Sequence, residues 1–252
     1  MESFFAHDRS GLTGETWEPL PGTRLEAEAI HKLLPQARLL LGPAATKQAL
    51  LEVAAPSILH IATHGFFLGD TASLPGARGK QSIGVPEATP PAQLLSDPLL
   101  RSGLVLAGAQ AASTTASDAG SDRVKGTLAT ALELAGLNLW GTELVVLSAC
   151  DTGRGEVRPG QGVYGLRRAF TVAGAETLVT SLWKVNDQTT HEFMKDFYEG
   201  LKAGRGRAEA LREAMRRMRG RHEHPYYWAP FILVGNGAPL RGFGLARPQG
   251  HP

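Results

Sequence analysis

The sequence predicts an α/β fold in which helices cover both faces of a mostly parallel central sheet. Two observations support this prediction. Apolar segments with strand character alternate with segments of helical period along the chain, and residues 57–63 (SILHIAT) form a continuous apolar run, typical of a strand buried on both faces. A length of 252 residues with 42% hydrophobic residues is enough for one domain with a sizeable core.

The N-terminal half supplies the first strands and helices. Residues 1–21 are polar and contain Gly and Pro, so we predict an N-terminal polar extension there. A helix is predicted over residues 23–34 from an apolar stripe at helical spacing, and Pro35 ends it. The stripe consists of Leu25, Ala29, Ile30 and Leu33. The next predicted elements are a strand at 37–41, a helix at 45–54, the strand at 57–63 and a strand at 103–106.

Two long segments lack a steady period. Residues 68–95 are rich in Gly and Pro, and residues 107–126 are mostly small and polar. We predict irregular loops for both. A substrate lid and a processing site are the two functional hypotheses for these loops, and the sequence leaves both open.

The C-terminal half continues the alternation, and residues 143–149 (ELVVLSA) are the strongest predicted strand. The other predicted elements are helices at 127–135, 163–173, 188–201 and 207–219 and strands at 176–182 and 230–234. Residues 241–252 are predicted to be a flexible tail, which leaves one domain over residues 22–240.

Composition argues against several classes of protein. The formal charge is only +2, and the basic stretch at 205–221 has the pattern of a helix with solvent-facing arginines, so no nucleic-acid partner is expected. No apolar run is long enough for a membrane helix, and the N-terminus does not resemble a signal peptide, so we predict a cytoplasmic protein without a membrane partner. The single cysteine excludes an intrachain disulfide framework.

Reactive residues follow the two most apolar predicted strands. His64 comes directly after residues 57–63, and Cys150 comes directly after residues 143–149. In an open parallel sheet the carboxyl ends of strands gather at one edge, where an imidazole can accept a proton from a thiol. The backbone amides of Gly65 and Cys150 are candidate donors to an oxyanion. The alternative is that both side chains are structural, since a lone cysteine is often a small core residue.

Six segments together resemble the CHAT domain, a family in the caspase and separase group of cysteine peptidases. They are PLPGTRLEAEAI (19–30), ILHIATHGFF (58–67), SDPLLRSGLVLAG (96–108), LVVLSACDTGRGEV (144–157), GVYGLRRAFTVAGAETLVTSLWKVND (162–187) and YYWAPFILVG (226–235). The resemblance implies a caspase-like α/β/α sandwich with His64 as catalytic histidine and Cys150 as nucleophile. It implies a thiol protease that hydrolyses a protein or peptide substrate through a thioester acyl-enzyme. Members of this family often follow TPR repeats, which implies a regulatory protein or TPR region as partner.

The resemblance leaves the specificity of the substrate pocket open. Metacaspase-like relatives carry an Asp two residues before the cysteine, where this chain has Ser148. Asp151 and Asp187 are the remaining acidic candidates for a pocket that binds a basic residue. As an alternative, Asp187 caps the following helix.

Three other functional hypotheses compete with peptidase activity. A CHAT-like domain with an idle dyad would act as a protein-interaction scaffold. Residues 160–165 match G-x-G-x-x-G, but about ten residues separate them from the preceding strand, which disfavours a nucleotide site. His60 and His64 would lie about 13 Å apart on a strand, too far to share a metal. We therefore predict no cofactor and no metal, and a hydrogen-bonded structural role for His60.

Overall fold

The structure, a computed structural model, describes most of the chain. The described residues are 2–5, 20–67, 98–107, 126–151, 161–183 and 185–242. The predicted loop at 68–95, nearly all of the loop at 107–126 and the tail from residue 243 lie outside them.

Strands and helices alternate over most of the described elements. The strands are β1 (Glu2–Phe5), β2 (Arg38–Leu41), β3 (Ile58–Phe67), β4 (Ser102–Val105), β5 (Leu128–Thr130), β6 (Leu144–Asp151), β7 (Thr177–Ser181) and β8 (Phe231–Gly235). The helices are α1 (Pro21–Leu33), α2 (Lys47–Leu51), α3 (Pro98–Arg101), α4 (Ala131–Ala135), α5 (Gln161–Val172), α6 (Asp187–Lys202), α7 (Arg207–Arg221) and α8 (Pro225–Trp228).

Within the described residues the strands form one sheet, with the order β2-β1-β3-β6-β7-β8. Strands β2, β1, β3, β6 and β7 pair in parallel, which confirms the α/β prediction. The other three strands differ from the prediction of a mostly parallel sheet: β8 pairs antiparallel with β7, β4 with β3, and β5 with β4. The sheet is therefore mixed around a parallel centre.

Helices pack on both faces of the sheet. The face that carries Ile58 and Val146 packs on buried residues of α1, α6 and α7. The face that carries Leu59 and Val145 packs on α2, α3, α4 and α5. Both faces of β3 and β6 are thus buried, which explains why these two strands have continuous apolar runs in the sequence.

The N-terminus differs from the predicted polar extension. Residues Glu2–Phe5 form β1, which pairs with β2 on one side and with β3 on the other. A four-residue segment with one acid has little strand signal of its own. Its hydrogen-bonding partners lie more than thirty positions further along the chain, and they decide its conformation.

Helix α1 buries a different stripe from the predicted one. Its buried residues include Thr23, Glu26, Ala27 and Ile30, whereas Leu25 is 47% exposed. The helix is rotated so that a carboxylate faces the sheet. Glu26 is only 1% exposed, and its carboxylate forms hydrogen bonds with buried side chains of the sheet.

The segment after residue 126 also differs from the predicted helix at 127–135. Residues Leu128–Thr130 pair with β4 as strand β5, and the helix α4 begins only at Ala131. Thr130 caps this helix by accepting a hydrogen bond from the Glu133 amide, while Glu133 accepts one from the Thr130 amide. This reciprocal capping box stops the helix from extending toward residue 127.

Candidate active site

The register of β3 and β6 places His64 beside Cys150. The two strands are neighbours in parallel, and residues 58–65 pair one for one with residues 144–151. His64 and Cys150 form the next-to-last pair of this ladder. Since neighbouring strands lie about 4.8 Å apart, the two backbones are held close together.

Both residues lie inside strands rather than just after them. The strand predicted over residues 57–63 is expected to end at residue 63, but β3 continues to Phe67. Strand β1 pairs with β3 only as far as Ala62. After that point β4 pairs with β3 instead, and His64 is the partner of Val105. The Thr63 hydroxyl also donates to the Val105 carbonyl at 2.5 Å. His64, only 5% exposed, is therefore held from two sides of its strand.

Gly65 is at the last pair of the same ladder. It lies in register with Asp151 of β6 and with Leu104 of β4. An amide that serves an oxyanion has to point at the reacting carbonyl rather than at a neighbouring strand. The oxyanion role of the Gly65 and Cys150 amides therefore requires the end of this ladder to open toward substrate.

A buried polar cluster lies on the face of the sheet that also carries His64, next to the pair of His64 and Cys150. The Glu26 carboxylate of α1 hydrogen-bonds His60 Nε2 at 2.9 Å, and it accepts from the Ser148 hydroxyl at 3.1 Å. The other ring nitrogen of His60 is hydrogen-bonded to the Tyr198 hydroxyl of α6 at 2.9 Å. The four side chains are at most 4% exposed. The prediction that His60 is a hydrogen-bonded histidine inside the sheet is confirmed.

Burial raises the pKa of two groups in this cluster, Glu26 and Tyr198. Removal from water raises the pKa of Glu26 above its ordinary value of 4.5, although hydrogen bonding and charge from His60 oppose the shift. Burial, together with the Glu26 carboxylate, also raises the pKa of Tyr198 well above its ordinary value. Burial therefore disfavours the charged forms of Glu26 and Tyr198.

The three pocket candidates have different surroundings. Ser148 is buried with its hydroxyl directed at Glu26, so it does not face solvent. Asp187 is partly exposed at the first residue of α6, and its carboxylate accepts from the Gly22 amide of α1. Asp151 is the last residue of β6 and lies in register with Gly65.

The alternative role of Asp187 as the cap of its own helix is wrong. The cap of α6 is Asn186, whose side chain accepts from the Thr189 amide at 3.1 Å. Asp187 instead caps the neighbouring helix α1, whose own N-cap residue, Leu20, supplies no side-chain acceptor. A methyl group at Gly22 would meet the Asp187 carbonyl oxygen at 2.5 Å, so a glycine is needed at this contact.

Glu26 and Tyr198 are not among the site residues that the sequence predicts. Glu26 lies in the segment at 19–30, but its burial breaks the rule that a charged residue faces solvent. A helical wheel that allowed one buried acid would have aligned Glu26 with Thr23 and Ile30. Tyr198 carries no such signal, because it lies within an ordinary apolar stripe of α6.

The described residues give no support to the nucleotide motif. Gly160 lies outside them, while Gly162 and Gly165 are inside helix α5 rather than in a loop before it. Across the same part of the chain, no three His, Cys, Asp or Glu residues are grouped in a way that would hold a metal ion. No described helix is both long and apolar enough to span a membrane.

We expect the replacement Glu26→Gln to flatten the pH dependence of stability. The folded protein holds the Glu26 proton more tightly than the unfolded chain, so unfolding releases this proton between pH 4.5 and the raised pKa. Stability conferred by this group is complete below pH 4.5 and is lost as pH rises through the folded pKa, by up to about 1.4 kcal/mol per pH unit. Urea unfolding of both proteins between pH 4.5 and 7.5 measures the difference, and parallel curves would contradict it.

Glu133→Gln is the matched control of opposite sign. Partial burial works to raise the pKa of Glu133, but hydrogen bonds from Lys47 and Thr130 outweigh it and hold the pKa below 4.5. This carboxylate therefore stabilises the fold above pH 4.5, and that stability is lost as pH falls through the folded pKa. Its replacement by glutamine is expected to lower the free energy of unfolding at neutral pH.

The fold matches that of a known cysteine proteinase. The crystal structure of gingipain R, described as an Arg-specific cysteine proteinase, superposes with a TM-score of 0.53 at 9% identity, covering 95% of this chain and 47% of that chain. At such low identity the likeness concerns the fold alone. The protein therefore has a caspase-like α/β fold.

The family follows from sequence comparison. The model of the CHAT domain matches residues 6–236, and the chain belongs to the CHAT domain family. Tetratricopeptide repeat protein 28 of Mus musculus and its counterpart in Homo sapiens are each 30% identical to this chain over 233 residues. The match covers 89% of this chain but only 9% of each of these relatives.

Proposed function

We propose that this CHAT domain is a cysteine endopeptidase in which His64 is the general base and Cys150 the nucleophile. The observation that carries the proposal is the pairing of His64 with Cys150 on neighbouring parallel strands. Proton transfer between an imidazole and a thiol requires the two residues to be close, and this register brings them to facing positions. Membership in the CHAT family and the caspase-like fold support the same conclusion.

The reaction consists of two acyl transfers. His64 takes the proton of the Cys150 thiol, and the thiolate attacks the carbonyl carbon of the scissile peptide bond. The Gly65 and Cys150 amides stabilise the oxyanion, and His64 then gives its proton to the leaving amine as the C–N bond breaks. A water molecule, deprotonated by His64, hydrolyses the thioester and returns the free thiol.

The substrate pocket in this proposal uses Asp151 and Asp187. Ser148 does not line it, because its buried hydroxyl donates to Glu26. Asp187 offers a partly exposed carboxylate beside the N-terminus of α1. A carboxylate in this place favours a basic residue before the scissile bond. The arginine specificity in the description of gingipain R belongs to that enzyme and is consistent with this preference.

We place this activity in the cytoplasm, where a nucleophilic thiol stays reduced. The names of the two relatives refer to tetratricopeptide repeats, and this chain matches only a small part of their length. We propose that a TPR region or another regulatory protein presents the substrate. This division of roles separates recognition by helical repeats from cleavage by the CHAT domain.

A cleavage profile on a peptide library tests the proposal. Purified protein is incubated with a proteome-derived peptide mixture beside the Cys150→Ala variant, and new termini are identified by mass spectrometry. We expect termini that form only with the wild-type chain and that share a residue type at the position before the cut. Identical profiles for the two proteins, at equal melting temperature, would favour the idle scaffold instead.

A further inference from the structure

We propose that Glu26 is a positioning residue for the nucleophile, acting through Ser148. The inference rests on the peptidase function proposed above and adds a residue that no catalytic role has yet included. Glu26 comes from helix α1, whereas the dyad lies on β3 and β6. Its carboxylate is the described group that links this helix to both strands by hydrogen bonds.

The geometry of the link is specific to these two strands. One carboxylate oxygen of Glu26 bonds His60 on β3, and the other accepts from Ser148 on β6. A carboxylate has a fixed separation between its oxygens, so the two contacts together fix β6 relative to β3. Ser148 is two residues before Cys150, which is about 6.6 Å along a strand. The contact is therefore one pleat from the proposed nucleophile.

The link is also rigid. Thr23, Ala27 and Ile30 are buried beside Glu26 on α1, and the Asp187 carboxylate holds the start of that helix. On the other side of the cluster, the Tyr198 hydroxyl holds His60. A buried polar cluster in which each member has a partner fixes one arrangement of its elements, at a cost in desolvation.

Fold stability gives no sufficient reason for this cluster. Apolar side chains of similar size in the same core would avoid the cost of burying a carboxylate that is 1% exposed. Polar groups that fix position have a use where a small displacement is costly, and nucleophile alignment is such a case. The structure assigns that role to the contact between Glu26 and Ser148.

Alkylation of the thiol tests the assignment without a known substrate. Cys150 is the one cysteine of the chain, so the rate of reaction with iodoacetamide at pH 7 reports on this thiol alone. We expect Ser148→Ala and Glu26→Ala each to slow alkylation about tenfold. Glu26→Gln keeps an acceptor for Ser148 and a polar partner for His60, so it is expected to react no more slowly than wild type.

The combined variant and a matched control separate positioning from general damage. If Glu26 acts through Ser148, the double variant Glu26→Ala/Ser148→Ala is no slower than Glu26→Ala alone. Thr177 begins β7, away from the dyad, and its buried hydroxyl donates to the Asn236 carbonyl at 2.7 Å. The variant Thr177→Val removes this hydroxyl. It is expected to leave the alkylation rate within about twofold of wild type.

The outcomes distinguish this inference from the proposed function. If Ser148→Ala, Glu26→Ala and Thr177→Val all match a fast wild-type rate, the positioning role is overturned and the peptidase proposal stands. If Thr177→Val slowed alkylation as much as Ser148→Ala, the positioning role would also be overturned. The loss of any buried hydroxyl would then be enough to slow the reaction of the thiol. A wild-type rate equal to that of free cysteine would overturn both proposals.

Discussion

Replacement of His64 by glutamine is expected to lower kcat/KM for peptide cleavage by about 10³-fold or more. Glutamine is similar in size and polarity, but it cannot accept the thiol proton or return it to the leaving amine. The loss should fall on kcat rather than on KM, since the imidazole acts during bond making and breaking. The measurement is steady-state cleavage of the peptide that the library identifies as the best substrate.

The control for this prediction is His222→Gln. His222 follows helix α7 and contacts the ring of Tyr227, and it has no place in the proposed reaction. We expect kcat/KM within about twofold of wild type for this variant. If His64→Gln cleaved as well as His222→Gln, with both proteins folded, His64 would not be the base.

Replacement of Arg207 by methionine is expected to cost about 3 kcal/mol or more of unfolding free energy. Arg207 begins helix α7 and is 1% exposed. Its guanidinium donates to the carbonyls of Ala238 at 2.9 Å and Glu143 at 2.5 Å, and it lies 3.5 Å from the Glu176 carboxylate. Methionine fills much of the space but leaves the two carbonyls without these donors.

Arg212→Met on the same helix is the matched control. Arg212 pairs with Glu209, both side chains are more than half exposed, and solvent screens the pair. Its replacement is expected to change stability by less than about 0.5 kcal/mol. Urea unfolding of the two variants and the wild type gives the comparison. A similar small loss for both would show that the buried guanidinium is not a structural link.

Much of the parallel centre of the fold was predictable from the sequence. Residues 57–63 and 143–149 carry continuous apolar runs because helices cover both faces of β3 and β6. Placing His64 and Cys150 at strand ends of one sheet made it possible for them to be neighbours. Their direct pairing did not follow, since register depends on strand contacts that the spacing of two motifs cannot supply.

The parts that escaped prediction depend on tertiary partners. Strand β1 is stabilised by β2 and β3, and Glu26 is buried because His60 and Ser148 satisfy its carboxylate. In both cases the partners lie far away along the chain, so a short stretch of sequence does not reveal them. The same holds for Asp187, whose carboxylate serves a helix 165 positions away rather than its own.

The rate of Cys150 alkylation as a function of pH tests the central claim most directly. The claim is that His64 activates the one thiol of the chain. It predicts that the wild-type chain reacts with iodoacetamide at pH 6 to 7 much faster than free cysteine, whose pKa is about 8.5, and that His64→Gln returns the profile to that of free cysteine. Wild-type and His64→Gln profiles that coincide, both rising only near pH 8.5, would contradict it.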